Sequence, residues 1–537
     1  MLCEAGCLKP LIHDGFSIDV WLGMKLKVRL LEIRAGERRI AILSDETASF
    51  LGVHSSDRVK ITYRKQELIA IANVAADFPS DSVGLYMEVS EKLGVGNGDY
   101  VDVEAAEAPE GLRYVQAKIH GERLRENELE VIVGDAVTRH LSDIEIASFL
   151  TALYINGLSM DEIEALSRAM VATGKTLSLD KKMVLDKHSV GGVPGDKTTI
   201  LIVPIVAAAG FTIPKTSSRA VTSPAGTADR VESLCPVNLT IDEIRDVVGK
   251  TNGCMVWGGA LELAPADDIF IQVEYPLAID PLLLPSIMSK KKAIGATHVV
   301  VDIPTGRGAK IKTIGEAQTL AYDFVDLGKR LGMRIQCAVT FGEQPIGYAV
   351  GPALEAREAL STIMGDGPAD LKEKATDVAG ILFEMVGVEN GKRKAAALLR
   401  SGKAEKKLRQ IVEAQGGNPK IKPEDIKVGS KTAEVTTDKS GRVLWINNED
   451  TARIAKEAGA PKEIGAGVML KTKLGEHVKK DGVLLEIFAE RATKLEAAVE
   501  LAEQLKPVGL SRKPEERMLI ERIPTRIVSR KTFMLER

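Results

Sequence analysis

Alternating apolar and polar residues predict β-strands near the start of the chain. The segments KLKVRLLEI (25–33) and RRIAILS (38–44) follow this pattern. An internal repeat comes next, in which LGVHSSDRVKI (51–61) matches LGVGNGDYVDV (93–103). Each copy reads as the end of a short helix, a turn, an aspartate and a strand. Two copies of one β unit predict a small pseudo-symmetric barrel, for which we expect a role in assembly.

Helical spacing replaces this alternation after a linker that contains Pro109. Two S-x-x-E sequences, Ser142 with Glu145 and Ser159 with Glu162, predict capping boxes at the starts of two helices. Apolar residues then recur every three or four positions, which is typical of the buried face of a helix. These positions predict the core of a helical domain and no chemistry.

Strands alternate with helices from residue 183 onwards. The runs MVLD (183–186), HVVVDIPTG (298–306) and RIQCAVTFG (334–342) predict strands, and Thr198 to Ala209 predicts a buried helix, alone or after a strand. This alternation favours a parallel sheet, with ligands at the carboxyl ends of its strands.

The last part of the chain changes pattern twice. Residues 366–430 are charged and helical, and the β signal returns beyond Thr436. There the spacing of Gly475, Val478, Gly482 and Leu485 resembles the turns of lipoyl-type barrel-sandwich domains. No lysine stands at a hairpin tip between the expected neighbours, so a carrier role is not predicted.

Composition and charge narrow the class of protein. The 537 residues are 45% apolar and 27% charged, which is typical of globular domains. The net charge of −3 and the aromatic content of 4% argue against a nucleic-acid partner. The chain has no uncharged apolar stretch long enough for a transmembrane helix, so no membrane partner is expected.

Five cysteines are scattered along the chain, at Cys3, Cys7, Cys235, Cys254 and Cys337. An odd, dispersed set favours a reducing compartment over a disulfide framework, so we expect a cytoplasmic protein. Cys3 and Cys7 could supply half of a metal site, but the usual ligand spacings do not complete it, and no metal site is expected. Residues 1–23 do not read as a signal peptide and are interpreted as an N-terminal extension.

Two loops rich in glycine, hydroxyl groups and cations flank the buried run after residue 198. The first, KHSVGG (187–192), suits an anion through its backbone amides and lysine, although a tight structural turn would have the same composition. It is not a Walker loop. The second, SSRAVTS (217–223), has four hydroxyl groups and one arginine, more than a strand end needs. Together the loops predict a site for phosphate.

Motifs in consistent order resemble the thymidine phosphorylase/pyrimidine nucleoside phosphorylase superfamily. They are DKHSVGGVPGDKTT, SSRAVTSPAGTADRVE, LAPADD, SIMSKK and DIPTGRGAK, and the match covers roughly residues 108–520. The N-terminal β domain, SSRAVTSPAGT and KTNGCMVWGGAL resemble one branch, the archaeal-type AMP phosphorylases. That branch degrades nucleoside 5′-monophosphates.

The patterns and the resemblance together predict a multidomain α/β protein. Its predicted parts are a small N-terminal β domain similar to a double-psi barrel, a helical domain, a large parallel-sheet α/β domain and a C-terminal β domain of barrel-sandwich type. The predicted boundaries are 24–107 for the N-terminal β domain, 108–176 and 266–297 for the helical domain, 177–265 and 298–430 for the α/β domain, and 431–537 for the C-terminal β domain and tail.

The resemblance also implies roles for individual side chains. Asp280 is implied as the proton donor to the leaving base. Contacts with the nucleotide or phosphate are implied for Gly192, Ser218, Arg219, Ala220, Val221, Thr222, Ser223, Thr227, Ser286 and Lys310. A place in or near the anion sites is implied for Lys187, Ser189 and Lys290, with His188 as a second-rank candidate.

A carboxylic acid donates a proton only where burial or negative charge keeps it protonated. The apolar neighbours of Asp280, which include Ile279 and Leu282, favour that role, and a helix N-cap before Pro281 is the alternative. Lys291 and Lys292 are expected to face solvent. Asp267 and Asp268 are expected to act only as caps or hinge residues.

One departure from the superfamily supports the branch. Pyrimidine phosphorylases resembling this chain carry an arginine seven residues before a V-D-S-L segment, where it reads the pyrimidine ring. The corresponding segment here is Ile279-Asp280-Pro281, and Val273 stands at the arginine position. A site without that donor is not expected to hold thymine in the same way.

We therefore expect a pentosyltransferase that cleaves AMP, and also CMP and UMP, to free base and ribose 1,5-bisphosphate. Inorganic phosphate is the expected co-substrate, without a cofactor or metal. Three alternatives are a pyrimidine nucleoside phosphorylase, a phosphoribosyltransferase of related fold and a non-catalytic nucleotide-sensing scaffold. A homodimer or larger homo-oligomer is expected to form through the two terminal β domains.

Overall fold

The computed structural model describes residues 23–36, 38–220 and 223–511. The chain divides into two compact units, Met1–Gly157 with Ile269–Pro281, and Leu158–Asp268 with Leu282–Arg537. The predicted N-terminal extension, apart from its last residue, and the end of the tail lie outside the described residues, as do Cys3 and Cys7. Within the described residues, no helix is long and apolar enough to cross a membrane.

A closed six-stranded barrel begins the first unit. The alternate residues Leu26 and Val28, Val59 and Ile61 are almost fully buried, as strands with one face toward a barrel interior require. Around the barrel the strands follow the order β1-β5-β2-β4-β3-β6. The strands are β1 (Met24–Leu30), β2 (Ile40–Ser44), β3 (Arg58–Tyr63), β4 (Gln66–Ala75), β5 (Ser82–Leu85) and β6 (Tyr100–Ala105).

The sequence repeat corresponds to two equivalent halves of this barrel. Helix α1 (Asp45–Leu51) ends at Gly52 and helix α2 (Met87–Leu93) ends at Gly94, both with left-handed backbones. β4 pairs parallel with β2 and antiparallel with β3. In the other half, β1 pairs parallel with β5 and antiparallel with β6. The pseudo-symmetric barrel that the repeat predicts is therefore present.

Helices complete the first unit, with the predicted Ser142 capping box at the start of α5. They are α3 (Glu110–Ile119), α4 (Glu126–Val137), α5 (Asp143–Asn156) and the larger part of α10 (Pro265–Leu277). The boundary between the units falls before α6 (Met160–Ala172), inside the predicted segment 108–176. α6 belongs to the second unit because Ile163 packs in the same core as Val299 and Phe324.

A parallel sheet lies at the centre of the second unit, as the strand–helix alternation predicts. Strands β11-β10-β7 are hydrogen-bonded in that order, β8 pairs with β9, and a parallel bridge from Val184 to Thr212 joins β7 to β8. The strands are β7 (Leu185–Ser189), β8 (Ile213–Ser217), β9 (Gly253–Trp257), β10 (His298–Thr305) and β11 (Arg334–Phe341). Their carboxyl ends meet at one edge, where ligands are expected.

Helices cover both faces of this sheet. Val300 of β10 packs in one core and its neighbours Val299 and Val301 pack in the other, because successive side chains of a strand point to opposite faces. The helices are α7 (Thr198–Ala208), α8 (Thr227–Glu232), α9 (Ile241–Thr251), α11 (Leu283–Ala293), α12 (Ile314–Arg330), α13 (Pro352–Ile363), α14 (Ala369–Met385), α15 (Gly391–Arg400) and α16 (Lys403–Ala414), with 3-10 turns at Gly258–Leu261 and Pro423–Asp425.

Two small sheets form the C-terminal part, ordered β12-β15-β17-β13 and β16-β14-β18. The two-residue strand β12 precedes the predicted boundary at 431 and yet pairs with β15. The strands are β12 (Ala349–Val350), β13 (Lys431–Thr436), β14 (Gly441–Ile446), β15 (Gly467–Leu470), β16 (His477–Val478), β17 (Val483–Ala489) and β18 (Val508–Ser511), and the helices are α17 (Asn448–Glu457) and α18 (Ala492–Leu505).

The side chain of Gln415, just after α16, is bound along β9. Its Oε1 accepts a hydrogen bond from the backbone N–H of Met255 at 2.8 Å. Its Nε2 donates to the carbonyl oxygens of Met255 at 3.0 Å and Pro236 at 2.9 Å. One buried amide thereby fixes the end of α16 to the outer side of the sheet.

Candidate active site

A cavity of about 270 Å³ lies at the carboxyl ends of β7, β8 and β9 in the second unit. Its walls contain residues from both predicted phosphate loops and from α11. The predicted site residues that line it are Lys187, His188, Ser189, Gly192, Ser218, Ser223, Thr227, Ser286 and Lys290.

The first loop joins β7 to the N-terminus of α7. Lys187 is buried, and its Nζ donates to Oγ1 of Thr198 at 2.9 Å and of Thr199 at 3.4 Å. Asp196 lies 3.7 Å from the same Nζ and accepts a hydrogen bond from the Thr198 hydroxyl at 2.5 Å. Burial lowers the pKa of Lys187. A lysine, two hydroxyls and a helix N-terminus therefore converge on one side of the cavity, which suits an anion.

Ion pairs behind this loop fix the charge of Asp196. Lys374 of α14 lies 2.8 Å from Asp302 of β10 and 3.9 Å from Asp196. Burial opposes a charge on Asp196, but the ammonium groups of Lys187 and Lys374 outweigh it and hold the pKa of this carboxyl well below its usual range. Asp196 is therefore an anion, and it holds Lys187 in place.

Glycine is required at one position of the loop by a close approach. Gly192 has φ +88°, and a Cβ there would collide with the backbone of Lys310. Gly191, at φ +83°, has open space where its Cβ would be. Lys310 itself is exposed and does not line the cavity, and it is its backbone together with its Cβ that lies against Gly192.

The second loop leads from β8 to α8. The cavity is lined by Ser218, Ser223 and Thr227. The backbone N–H of Ala220 instead donates a hydrogen bond to Asp229 at 2.7 Å. Val221 and Thr222 lie outside the described residues.

Arg219 is held outside the cavity lining by carboxylates of α8. It donates two hydrogen bonds to Glu232, at 2.6 and 2.8 Å, and lies 3.3 Å from Asp229. These carboxylates raise the pKa of Arg219, led by the hydrogen bonds to Glu232. The guanidinium also stacks over Trp257, 5.0 Å from the ring centroid. To bind a phosphate, Arg219 would have to give up its hydrogen bonds to Glu232 and form new ones to the phosphate.

Arg230 of α8 supplies a further cation to the cavity wall. Its guanidinium donates to the carbonyl oxygens of Asp196 at 2.7 Å and Ala225 at 2.8 Å. Its Nε lies 2.5 Å from the buried carboxylate of Glu355. Arg230 therefore ties the first loop to the second and fixes their separation. Arg230 is not among the predicted site residues, although it stands in the motif SSRAVTSPAGTADRVE, because only the folded chain brings it to Asp196.

The prediction that Lys291 faces solvent is wrong. Its side chain is 3% exposed and its Nζ lies 2.7 Å from Asp186, a fully buried residue of β7. Lys215 of β8 lies 3.8 Å from the same aspartate, and both lysines line the cavity. Lys292 is exposed, as predicted. The error arises because Asp186 is far from Lys291 in sequence and adjacent only in the folded chain.

His188 and Ser189 lie between these groups. Burial and four lysines, the first of which is Lys291, lower the pKa of His188 well below its usual value, so the ring is neutral. The hydroxyl of Ser189 is buried and has no hydrogen-bond partner among the described residues. A buried hydroxyl without a partner is costly, and a ligand oxygen in the cavity would satisfy it.

Helix α11 contributes Ser286 and Lys290. Lys290 forms an ion pair with Asp267, whose carboxylate is buried. Asp267 is therefore more than a cap or hinge, because it holds a cation of the cavity wall. Asp268 also lines the cavity.

Asp280 belongs to the first unit, between the end of α10 and the start of α11, and it is exposed. Leu277 is 46% exposed as well, whereas Leu282 is buried. The apolar enclosure that the sequence predicted for Asp280 is therefore absent from this structure, since α10 ends at Leu277 and Ala278 breaks the helix with φ +52°. Val273 is half-buried on α10.

No group of three or more metal-ligating side chains occurs in the part of the chain that the structure describes. The chemistry that these residues can supply is anion binding through ammonium groups, guanidinium groups, hydroxyls and backbone amides. Such a wall can hold and orient anionic groups for a reaction in the cavity.

Three family models match the chain. They are the glycosyl transferase family helical bundle domain over residues 112–174, the glycosyl transferase family a/b domain over 181–405 and the pyrimidine nucleoside phosphorylase C-terminal domain over 443–507. The architecture is accordingly multidomain α/β, with a helical bundle, a large α/β domain and a separate C-terminal domain.

Curated relatives match almost the whole chain. AMP phosphorylase of Thermofilum pendens is 50% identical over 93% of this chain and 98% of its own length. AMP phosphorylase of Thermococcus kodakarensis is 50% identical over 93% of this chain and 99% of its own length. A solved anthranilate phosphoribosyltransferase from Thermus thermophilus is 21% identical, with a TM-score of 0.47, over 56% of this chain and 98% of that one.

Proposed function

The chain belongs to the AMP phosphorylase family, and from that premise we propose that it cleaves AMP with inorganic phosphate to adenine and ribose 1,5-bisphosphate. CMP and UMP are proposed as further substrates. Inorganic phosphate is the co-substrate, and no metal or organic cofactor takes part. The observation that carries this proposal is the convergence of Lys187, Ser189 and the N-terminus of α7 on one cavity.

The attacking phosphate binds at the first loop in this proposal. Phosphate is a weak nucleophile, so the protein must hold it close to the sugar carbon and in line with the breaking bond. Lys187 supplies charge, the Ser189 hydroxyl supplies a donor, and Gly192 lets the backbone approach. The neutral ring of His188 can accept or donate one hydrogen bond there without adding to the positive charge.

The nucleotide binds to the second loop and α11. We assign its 5′-phosphate to the segment from Ser218 to Thr227. Arg219 would join this site once it releases Glu232 and binds the phosphate instead. Ser286 and Lys290 contact the rest of the nucleotide, and Lys310, whose side chain does not line the cavity in this structure, joins them when the nucleotide binds. Positive charge near the sugar would oppose the oxocarbenium-like transition state, so the two phosphates must neutralise these cations as the bond breaks.

Adenine leaves poorly as an anion, so the mechanism needs a proton donor, and we assign that role to Asp280. Its carboxyl is exposed in this structure, and a carboxylic acid serves as a proton donor only where water is excluded from it. We therefore propose that bound substrate covers Asp280. General acid catalysis of this kind typically contributes about 10²- to 10⁴-fold in rate.

The activity is tested by incubating the purified full chain with AMP in the presence and absence of phosphate. Release of adenine that requires phosphate, with a bisphosphorylated pentose as the second product, is the expected result. Equal release without phosphate would mean hydrolysis, and no release would exclude the proposal for AMP. A panel of CMP, UMP, GMP and the parent nucleosides then ranks the substrates.

A pyrimidine nucleoside phosphorylase is the second candidate, because the C-terminal domain matches that family model over residues 443–507. It predicts that uridine or thymidine turns over faster than UMP. The presence of Val273 where those enzymes carry an arginine favours the nucleotide instead. A non-catalytic sensor would bind AMP with no turnover under any of these conditions.

We also propose a homo-oligomer assembled through the two terminal β domains. The N-terminal barrel resembles the double-psi type in its two-fold repeat, and the C-terminal sheets resemble a barrel-sandwich. Light scattering on the full chain and on a chain that begins near Pro109 tests this. An unchanged mass after removal of the barrel would exclude the barrel as an assembly domain.

A further inference from the structure

Three buried ionisable groups lie at one side of the cavity, on three different elements. Lys215 stands on β8, Asp186 on β7 and Lys291 on α11. Asp186 is fully buried, and the two lysines are 5% and 2% exposed. Both lysines line the cavity, so the trio forms part of its wall.

With both lysines protonated, the trio would carry more positive than negative charge. Lys291 takes the short contact with Asp186, at 2.7 Å, and Lys215 is left 3.8 Å from the same carboxylate. Lys215 donates instead to the carbonyl oxygen of Thr216 at 2.5 Å. A buried ammonium group that shares its carboxylate with a closer lysine is poorly compensated.

The other cations of the wall are each the nearest cation to a carboxylate. Lys187 is the nearest cation to Asp196, at 3.7 Å, whereas Lys374, 3.9 Å from it, has its closer partner in Asp302 at 2.8 Å. Arg230 pairs with Glu355. Lys290 pairs with Asp267. Within the described residues of this wall, Lys215 is therefore the cation whose charge is least balanced.

Among the ionisable groups around Lys215, only Asp186 favours its charge. Burial is the main cause that lowers its pKa well below the usual value, and Lys291 and Lys187 add repulsion. His188 of β7 is neutral, and burial raises the pKa of the Cys254 thiol on β9, so neither group supplies a negative charge.

We propose that Lys215 is uncharged in the free protein and takes up a proton from solvent when a phosphate group binds beside it. Phosphate brings the negative charge that this side of the wall lacks. The amine Nζ gains one proton and becomes an ammonium group that binds a phosphate oxygen. This inference rests on the proposed function, because its ligands are the two phosphate groups of that function, inorganic phosphate and the 5′-phosphate of AMP.

Calorimetric titration of the full chain measures the proton uptake directly. AMP, inorganic phosphate and adenosine are each titrated at about pH 8, where a phosphomonoester with a second pKa near 6 is dianionic, in two buffers of different ionisation enthalpy. The dependence of the observed heat on the buffer gives the number of protons bound. We expect uptake with at least one phosphate-bearing ligand and none with adenosine. The ligand that shows uptake identifies which phosphate lies beside Lys215.

Two substitutions separate this role from a structural one. Lys215→Met should abolish the uptake and weaken that ligand about ten- to hundredfold, as loss of a hydrogen bond to a charged group does. Lys215→Arg keeps a permanent charge, so it should abolish the uptake but retain the affinity. Lys292→Met removes an exposed cation nearby and should leave the uptake unchanged.

Uptake that persists in both Lys215 variants, no uptake with either phosphate ligand, or equal uptake with adenosine would each overturn the inference. If Lys215→Met does not fold, the proton uptake measured with Lys215→Arg tests the inference by itself. Failure here is distinct from failure of the proposed function, which is read from adenine release by the unaltered chain. A protein that releases adenine without the proton linkage would keep its function and lose this role for Lys215.

Discussion

The Nζ atom of Lys187 lies 2.9 Å from Oγ1 of Thr198, so β7 and the first residue of α7 enclose the glycine loop between them. Replacing Lys187 with Met removes the cation and leaves Asp196 with Lys374 and the Thr198 hydroxyl as its partners. We expect the KM for phosphate to rise about ten- to hundredfold, because a charged hydrogen bond to the anion is lost. Initial rates at varied phosphate measure this. An unchanged KM for phosphate would place the anion elsewhere.

The contrast between Gly192 and Gly191 gives a matched pair of substitutions. Both have left-handed backbones, so alanine at either costs about 1–2 kcal/mol of strain. Only alanine at 192 also collides with the backbone of Lys310. Gly192→Ala should therefore lower kcat/KM at least tenfold beyond Gly191→Ala, measured at equal folded fraction. Equal effects would show that strain alone acts in this loop.

Asp280→Asn tests the proton donor. An amide cannot protonate the leaving base, so kcat for AMP should fall about 10²- to 10⁴-fold with little change in AMP binding. Asp246→Asn, an exposed carboxylate on α9, is the control for loss of charge. Rates near that of the unaltered chain in Asp280→Asn would exclude the role.

Arg219→Ala distinguishes a phosphate ligand from a brace of the second loop. If Arg219 binds the 5′-phosphate, the KM for AMP should rise about tenfold or more and that for adenosine should stay the same. Glu232→Gln removes the negative charge that pairs with Arg219 and should leave AMP binding intact. Equal losses for AMP and adenosine would mean that the arginine only supports the loop.

Lys374 stabilises the fold beneath the cavity. Lys374→Met leaves Asp302 and Asp196 with one fewer buried cation, so the free energy of unfolding should fall by about 3–5 kcal/mol. Lys392→Met, which removes a largely exposed pair with Asp377, should cost about 1 kcal/mol or less. Denaturant unfolding of the two variants measures the difference, and similar losses would contradict the buried pairing.

The stability of the fold should also depend on pH through Asp196, one of the carboxylates that Lys374 faces. The folded pKa of Asp196 is depressed, so its contribution to stability is present above the unfolded value of about 3.9 and is lost as the pH falls through and below it. The unaltered chain should therefore lose stability below about pH 5, and Lys374→Met should lose less over the same range.

Local sequence was sufficient for features whose partners are close along the chain. The repeat that ends in Gly52 and Gly94 predicts both halves of the barrel because the turn and the following strand are encoded together. The capping boxes at Ser142 and Ser159 were predicted for the same reason, and the structure confirms them.

Local sequence failed where burial depends on distant partners. Lys291 has the sequence context of a solvent-facing lysine, and only the folded chain brings Asp186 to it. Lys215 gave one usable signal, a lysine inside the apolar strand IPKTS just before the hydroxyl-rich loop. Because a charge in a buried strand is costly, such a residue indicates a functional role even before its partners are known.

The amide of Gln415 has a consequence beyond fixing α16. At Met255 it occupies both the N–H and the C=O of β9, the two groups through which another extended chain would add to the sheet. Exposed strand edges are the usual starting points for aggregation between copies of a protein. A single buried side chain thus leaves no unpaired backbone group at Met255 to which another extended chain could add.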